Sequence, residues 1–196
     1  MSYIILGLGN PGEEYKETRH NAGRMVVEAL AKTHDLAEWK EDMKTVSLKV
    51  TGKIGKTKAD LFLPETFMNK SNITASKLVK SKKQAEQLIV VHDDLNLPLG
   101  SLRISFNRSA GGHKGVQSIV KAIKTETFIR VRMGVCPTTA SGKLKRPDGQ
   151  ELVDFIVGNF KKAEMDVFKK AIKKAVTGIE LILNEGKEWA MTECNQ

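Results

Sequence analysis

Apolar positions along this chain switch repeatedly between a period of two and a period near 3.6, so strands and helices are expected to alternate throughout. Tyr3–Leu8 is an apolar run closed by glycines and reads as a buried first strand. Ala22, Val26, Ala29 and Leu30 then recur at helical spacing. Thr45–Val50 and Lys58–Leu63 are strand-like stretches joined through Gly52 and Gly55, which predicts a hairpin and hence an antiparallel element. Asn72–Lys80 fits a short helix, and the apolar run Leu88–Val91 belongs in the middle of a sheet. Further on, Leu102, Ile104 and Phe106 alternate with Ser101, Arg103 and Ser105. Ile129, Val131, Met133 and Val135 are expected to face the core, leaving Arg130 and Arg132 on the opposite face. A helix with Val116, Ile119, Val120 and Ile123 inward separates those two strands. Lys161–Gly186 closes the pattern as a long amphipathic helix whose stripe (Phe168, Ile172, Ala175, Val176, Ile179, Ile182) is core. Residues 136–149, rich in Thr, Ser, Gly, Lys and Pro, form the one long loop and the candidate lid. With no repeat and no low-complexity linker, residues 1–196 are expected to form a single α/β domain.

Composition narrows the class without naming a function. A content of 40% hydrophobic and 28% charged residues is that of a globular protein, not a disordered one. No stretch approaches the roughly 20 apolar residues of a membrane helix. The N-terminal MSYIILGLGN lacks a basic leader and is expected to be a strand, not a secretion signal. Cys136 and Cys194 match no CxxC spacing and read as idle thiols of a reducing compartment, so a cytoplasmic protein is expected. The net charge of +9 is unevenly placed. Residues 101–147 hold ten Lys and Arg against one acid, Glu126, while the rest of the chain balances. Such a concentration suggests a patch facing a polyanion, nucleic acid ahead of membrane.

Gly7-Leu8-Gly9-Asn10-Pro11-Gly12 fits the GxGxxG pattern after a strand, but the chemistry does not suit a dinucleotide. Pro11 removes a backbone N–H that would face pyrophosphate, and Glu13 and Glu14 place negative charge beside it. The acid expected at the end of a second strand is missing too, since Glu28 falls within a helix. A stronger signal is the set of polar residues at element ends: Asn10, the His20-Asn21 pair, Asn69, His92-Asp93 and His113. No GxSxG elbow is present and neither cysteine adjoins a histidine, so a covalent nucleophile has no good candidate. A zinc site from His20, His92, Asp93 and His113 is conceivable, although no HExxH-like spacing supports it. What remains is a histidine acting on water, with Asp93 orienting it and asparagine N–H groups facing an oxyanion. That chemistry suits an activated ester.

The segments GLGNPGEEYKETRHNAG (7–23), PETFMNKSN (64–72), VHDDLNLPLG (91–100), AGGHKGVQSI (110–119), RVRMGV (130–135) and DFIVGNF (154–160) together resemble the bacterial-type peptidyl-tRNA hydrolases, in order and spacing, across nearly the whole chain. The resemblance implies one α/β domain with a mixed, twisted sheet wrapped by helices. It implies hydrolysis of the ester between peptide and tRNA in N-blocked peptidyl-tRNA, which recycles tRNA from stalled translation. It also implies a monomer that binds the acceptor stem and peptide of its substrate and needs no cofactor, metal or membrane.

By position, His20 resembles the catalytic base and Asp93 its partner. Asn10 resembles the residue that favours N-blocked substrates, and Asn69 the one that holds the peptide main chain or a water. Tyr15, Phe67, Met68 and His113 match positions lining the substrate site, while Arg103 and Arg132 match basic positions that clamp tRNA phosphate. Lys114 stands where the family usually has asparagine, replacing a neutral substrate-binding group with a cation that can meet phosphate. Ser105 replaces a commonly basic residue, and Asp94 and Asn96 replace the usual Glu and Asp. The rival reading is a non-catalytic RNA-binding relative of the same fold, which would need none of His20, Asp93, Asn10 and Asn69.

Overall fold

The structure, a computed structural model, describes residues 2–196. Seven strands form one mixed sheet: β1 (Ser2–Gly7), β2 (Lys40–Asp42), β3 (Ser47–Ile54), β4 (Thr57–Pro64), β5 (Leu88–Pro98), β6 (Leu102–Phe106) and β7 (Ile129–Cys136). Their order is β2-β3-β4-β1-β5-β7-β6. The four central strands β4, β1, β5 and β7 are parallel, and β3 and β6 flank them antiparallel. The expected hairpin is the β3–β4 pair, turning at Gly55, whose φ of 60° lies in the left-handed region. Seven helices cover the sheet: α1 (Ala22–Thr33), α2 (Asn72–Leu78), α3 (Lys82–Glu86), α4 (Lys114–Ile123), α5 (Gly149–Val157), α6 (Lys162–Glu185) and α7 (Lys187–Cys194). None is long and apolar enough to cross a membrane.

The sheet buries both faces. On one, Ile5, Val91, Val131 and Met133 pack with Val26 and Leu30 of α1 and Phe168, Ala175, Ile179 and Ile182 of α6. On the other, Leu6, Leu8 and Val90 pack with Val116 and Ile119 of α4 and Ala75 of α2. The α6 stripe therefore lies in the core, as its periodicity indicates, and each buried Phe, Leu or Ile stabilises the fold by roughly 1.5–3 kcal/mol.

Double coverage also corrects one expectation. Arg130, on the face opposite Val131, is not at the surface: it is 2% exposed, with Nε unpartnered among the described residues. Alternation distinguishes two faces but does not tell whether the second meets water. A second difference is the length of β5. Its polar half, His92 to Pro98, pairs with β7 through Asp94, and the register shifts before Pro98 rejoins at Cys136.

The glycines of the first segment have two separate uses. Gly12 has φ of 109°, a conformation that side chains resist. Gly7 and Gly23 instead let α1 cross the sheet closely. A Cβ on Gly23 would stand 2.2 Å from Val91 O, 2.6 Å from Leu8 N and 2.7 Å from Leu8 O, all of them backbone. Because backbone cannot rotate aside, Gly23→Ala is expected to destabilise the fold by about 3 kcal/mol. Urea unfolding measures this; a midpoint equal to that of the parent chain would refute the close-crossing account.

Candidate active site

Strand β1 stops pairing with β5 at Gly7–Val91, but β5 runs on against β7. Beyond Val91 the edge of β5 that faced β1 is open, at the carboxyl end of the parallel strands where α/β sheets hold their ligands. His92, Asp93 and Asp94 occupy that stretch, and all three are buried. Helices reach Asp93 from both faces of the sheet. From one side comes the 3-10 turn Arg19–Asn21 that leads into α1, and from the other His113, the N-cap of α4.

Two anchors fix the turn that carries His20. Arg19 is buried, bonds Phe155 O and Gly158 O at 3.1 Å each, pairs with Glu164 at 2.6 Å and lies 4.1 Å from the Phe155 ring centroid. Asn21 trades hydrogen bonds with Asn10: Asn10 N–H donates to Asn21 Oδ1 at 2.8 Å, and Asn21 Nδ2 donates to Asn10 O at 2.9 Å. The segment leaving β1 and the segment entering α1 are thus pinned together on either side of His20.

His20 Nδ1 lies 2.9 Å from Asp93 Oδ1, and His113 Nε2 lies 3.0 Å from the same oxygen. Burial pushes the Asp93 carboxyl upward, but the adjoining His20 and His113 and their hydrogen bonds outweigh it and hold the carboxyl well below the usual range. Asp93 is therefore an ionised acceptor, and each imidazole turns an N–H toward it. His113 Nδ1 accepts the Val116 N–H at 3.2 Å, so both of its nitrogens are occupied. His92 is 1% exposed, and its Nδ1 donates to Asp93 O at 2.7 Å. Burial, assisted by neighbouring His113, pushes the His92 pKa down to about 3, so it stays neutral. The Nε2 atoms of His20 and His92 both lack a partner among the described residues, but that of His92 is sealed in the interior, whereas His20 lines a cleft of about 190 Å³. Of the three histidines, His20 alone is placed to exchange a proton with a ligand.

His20, Asp93 and His113 also offer one atom each within 4.8 Å of one another, a metal-like grouping. The proton positions do not suit a cation. The nitrogens nearest the centre carry the protons given to Asp93, and moving the His113 proton to Nδ1 would set it against the Val116 N–H.

The other expected residues are distributed around this centre. Asn10 is buried, and its Oδ1 accepts the Met68 N–H at 2.8 Å, leaving its Nδ2 as the available donor. Met68 itself is 4% exposed and packs in the core, so its side chain is largely out of reach of a ligand. Asn69 is exposed and makes no bond with the His20–Asp93 pair; it shares a separate groove with Asn72, Lys114 and Lys121 along α4. Lys114 also lines the His20 cleft. Tyr15 and the exposed Phe67 meet edge to face at 6.3 Å. Arg103 is exposed on β6, directly across from Arg132 on β7. The Arg132 guanidinium is already engaged, 2.7 Å from Asp94 Oδ2. The loop between β7 and α5 sends Arg146 to Asn96 Oδ1 at 2.8 Å, and Asn96 bonds Asp94, so this loop flanks the cleft. The remaining cleft wall is apolar, from Leu95, Leu152, Val153, Ile156 and Val157.

A family model described as peptidyl-tRNA hydrolase matches residues 4–196. Peptidyl-tRNA hydrolase of Carboxydothermus hydrogenoformans is 39% identical over 195 residues, 99% of this chain and 98% of that protein. The chain belongs to the peptidyl-tRNA hydrolase family. The enzyme of that name from Aquifex aeolicus is 38% identical over 98% of this chain and 96% of its own length. The crystal structure of peptidyl-tRNA hydrolase from Acinetobacter baumannii superposes with a TM-score of 0.87 at 30% identity, covering 98% of this chain and 94% of that one. The structure gives roles to three groups to which the sequence assigned none. Asn21 and Arg19 position the His20 turn, and their signal lay in flanking His20 within one short polar segment. The Val116 N–H that fixes His113 is a backbone group and leaves no mark in sequence.

Proposed function

We propose that this chain hydrolyses the ester joining peptide to tRNA in N-blocked peptidyl-tRNA, recycling tRNA released from stalled translation. The observation that carries the reading is the His20–Asp93 pair at 2.9 Å, with the second imidazole nitrogen turned toward the cleft. His20 Nε2 takes a proton from water as that water attacks the ester carbonyl, and Asp93 stabilises the imidazolium that forms. No Ser, Thr or Cys lies among the described residues lining the cleft, which fits direct attack by water. Asn10 Nδ2 and Asn69 supply donors for the substrate carbonyls, while Tyr15, Phe67, the Met68 main chain and Lys114 line its path. A non-catalytic RNA binder has no use for a buried carboxylate shared by two oriented imidazoles.

The peptide and the tRNA acceptor stem occupy separate surfaces. Arg103 and Arg132 face backbone phosphate, and the loop expected over residues 136–149, whose ends Cys136 and Gly149 belong to β7 and α5, acts as a lid over the apolar wall. The free thiols Cys136 and Cys194 suit the reducing cytoplasm, where the protein works as a monomer without cofactor or metal. Incubation with N-acetyl-aminoacyl-tRNA and with unblocked aminoacyl-tRNA tests the activity: rapid hydrolysis of the first alone, unaffected by EDTA, is expected. Failure to hydrolyse either would sink the proposal. Arg103→Ala should weaken tRNA binding and lower the slope of log affinity against log salt by about one, the loss of one phosphate contact. An unchanged slope would place the RNA elsewhere.

A further inference from the structure

The reading of His20 as base leaves His113 to be explained, and this inference rests on that reading. His113 has a role at each ring nitrogen: Nδ1 caps α4 by accepting the Val116 N–H at 3.2 Å, and Nε2 meets Asp93 Oδ1 at 3.0 Å. A neutral imidazole has one proton, and with Nδ1 held as an acceptor that proton sits on Nε2, aimed at Asp93. We propose that His113 is a positioning residue, a fixed Nε2–H donor that shares Asp93 Oδ1 with His20 and sets how strongly Asp93 grips the His20 imidazolium. It neither takes up a proton during the reaction nor touches the ester.

Three features hold it in that state. Adding a second proton would place an N–H against the Val116 N–H, at the positive end of the α4 dipole. The buried His92 ring packs edge-on to His113, with centroids 4.7 Å apart and planes at 62°, and blocks rotation away from Asp93. The His20 ring stands 5.2 Å from His113, its plane tilted by 47°. The polar groups around His20 are otherwise few. Asp93 and Asp94 come from β5, His113 and Lys114 from α4, and Arg146 from the loop before α5; α5 presents only Leu152, Val153, Ile156 and Val157. On its own turn, Arg19 is neutralised by Glu164. Among the described residues, His20 and His113 alone donate to the Asp93 carboxylate.

A carboxylate oxygen shared between two donors holds each less tightly than it would hold one. Removing the His113 donor strengthens the grip of Asp93 on protonated His20, so a higher pH is needed to free the base. The acid limb of the rate profile then moves up. At the plateau the rate falls, because Asp93 has lost one of the two bonds that orient it.

Two substitutions separate this role from the helix cap. In His113→Asn the short amide oxygen can still cap Val116, but its nitrogen stops short of Asp93. In His113→Gln the longer amide nitrogen reaches toward Asp93, but the ring acceptor at the cap is gone. With N-acetyl-aminoacyl-tRNA, His113→Asn should keep the urea midpoint and lower kcat about tenfold with KM little changed. Its acid limb should lie roughly one pH unit higher. His113→Gln should keep the acid limb of the parent while its urea midpoint falls. An unmoved limb in His113→Asn, or equal shifts in both variants, would overturn the proposal. Should the parent chain hydrolyse no peptidyl-tRNA, the activity reading falls but this inference is still read from imidazole ¹⁵N spectra. Those should show His113 protonated at Nε2, and a proton at Nδ1 would refute it.

Discussion

His20→Ala should lower kcat on N-acetyl-aminoacyl-tRNA about a thousandfold while leaving tRNA affinity unchanged, since a positioned general base contributes roughly 10²–10⁴-fold. The reason no neighbour replaces it lies in the hydrogen bonds. His113 has both nitrogens engaged, and His92 is 1% exposed and neutral, with its N–H committed to Asp93 O. Without His20, water in the cleft faces Asp93, whose carboxyl is held well below the usual range and so is a weak base. The side chain is only partly exposed, at 13%, and the turn is anchored by Arg19 and Asn21, so the fold should persist. Single-turnover kinetics beside a tRNA binding curve measures both quantities. A loss under tenfold would assign the base elsewhere.

Asp93→Asn should cost about a hundredfold to a thousandfold in kcat, by loss of charge more than loss of geometry. Both imidazoles donate to a single oxygen, Oδ1, so an asparagine oxygen turned the same way can accept both N–H groups. The tautomers survive. What disappears is the negative charge that stabilises the His20 imidazolium as it forms. The acid limb of the rate profile should therefore move to lower pH, the reverse of its shift in His113→Asn. Opposite signs from two neighbours of one imidazole would be hard to obtain from general loss of structure. A limb that stays in place, with kcat within tenfold, would remove Asp93 from the account.

Much of the fold was legible because burial imposes periodicity. The β3–β4 hairpin, the alternating strands β6 and β7 and the α6 stripe all lie where their apolar spacing put them. The exceptions have local causes. The second half of β5 is polar because it borders the cleft, and it stays extended through pairing with β7. Helix α5 (GQELVDFIV) was assigned no element from sequence, since much of its apolar surface forms the cleft wall and not the core. Within the site, His20 and Asp93 were legible as chemistry at element ends, but residues 73 positions apart give no sign of sharing one oxygen with a third. Arg130 counted toward the basic patch until the second layer of helices proved to bury it. Arg132 is likewise partnered, by Asp94, which leaves Arg103 the more available of the two for phosphate.

Of the three histidines around Asp93, His20 exchanges protons while His92 and His113 hold theirs. Imidazole ¹H–¹⁵N correlation spectra across the pH range of the reaction test it directly, without substrate. His20 should change protonation at Nε2, with His92 fixed as the Nδ1–H form and His113 as the Nε2–H form. A His113 or His92 signal that titrates together with His20, or a His20 that never releases its proton, would contradict it.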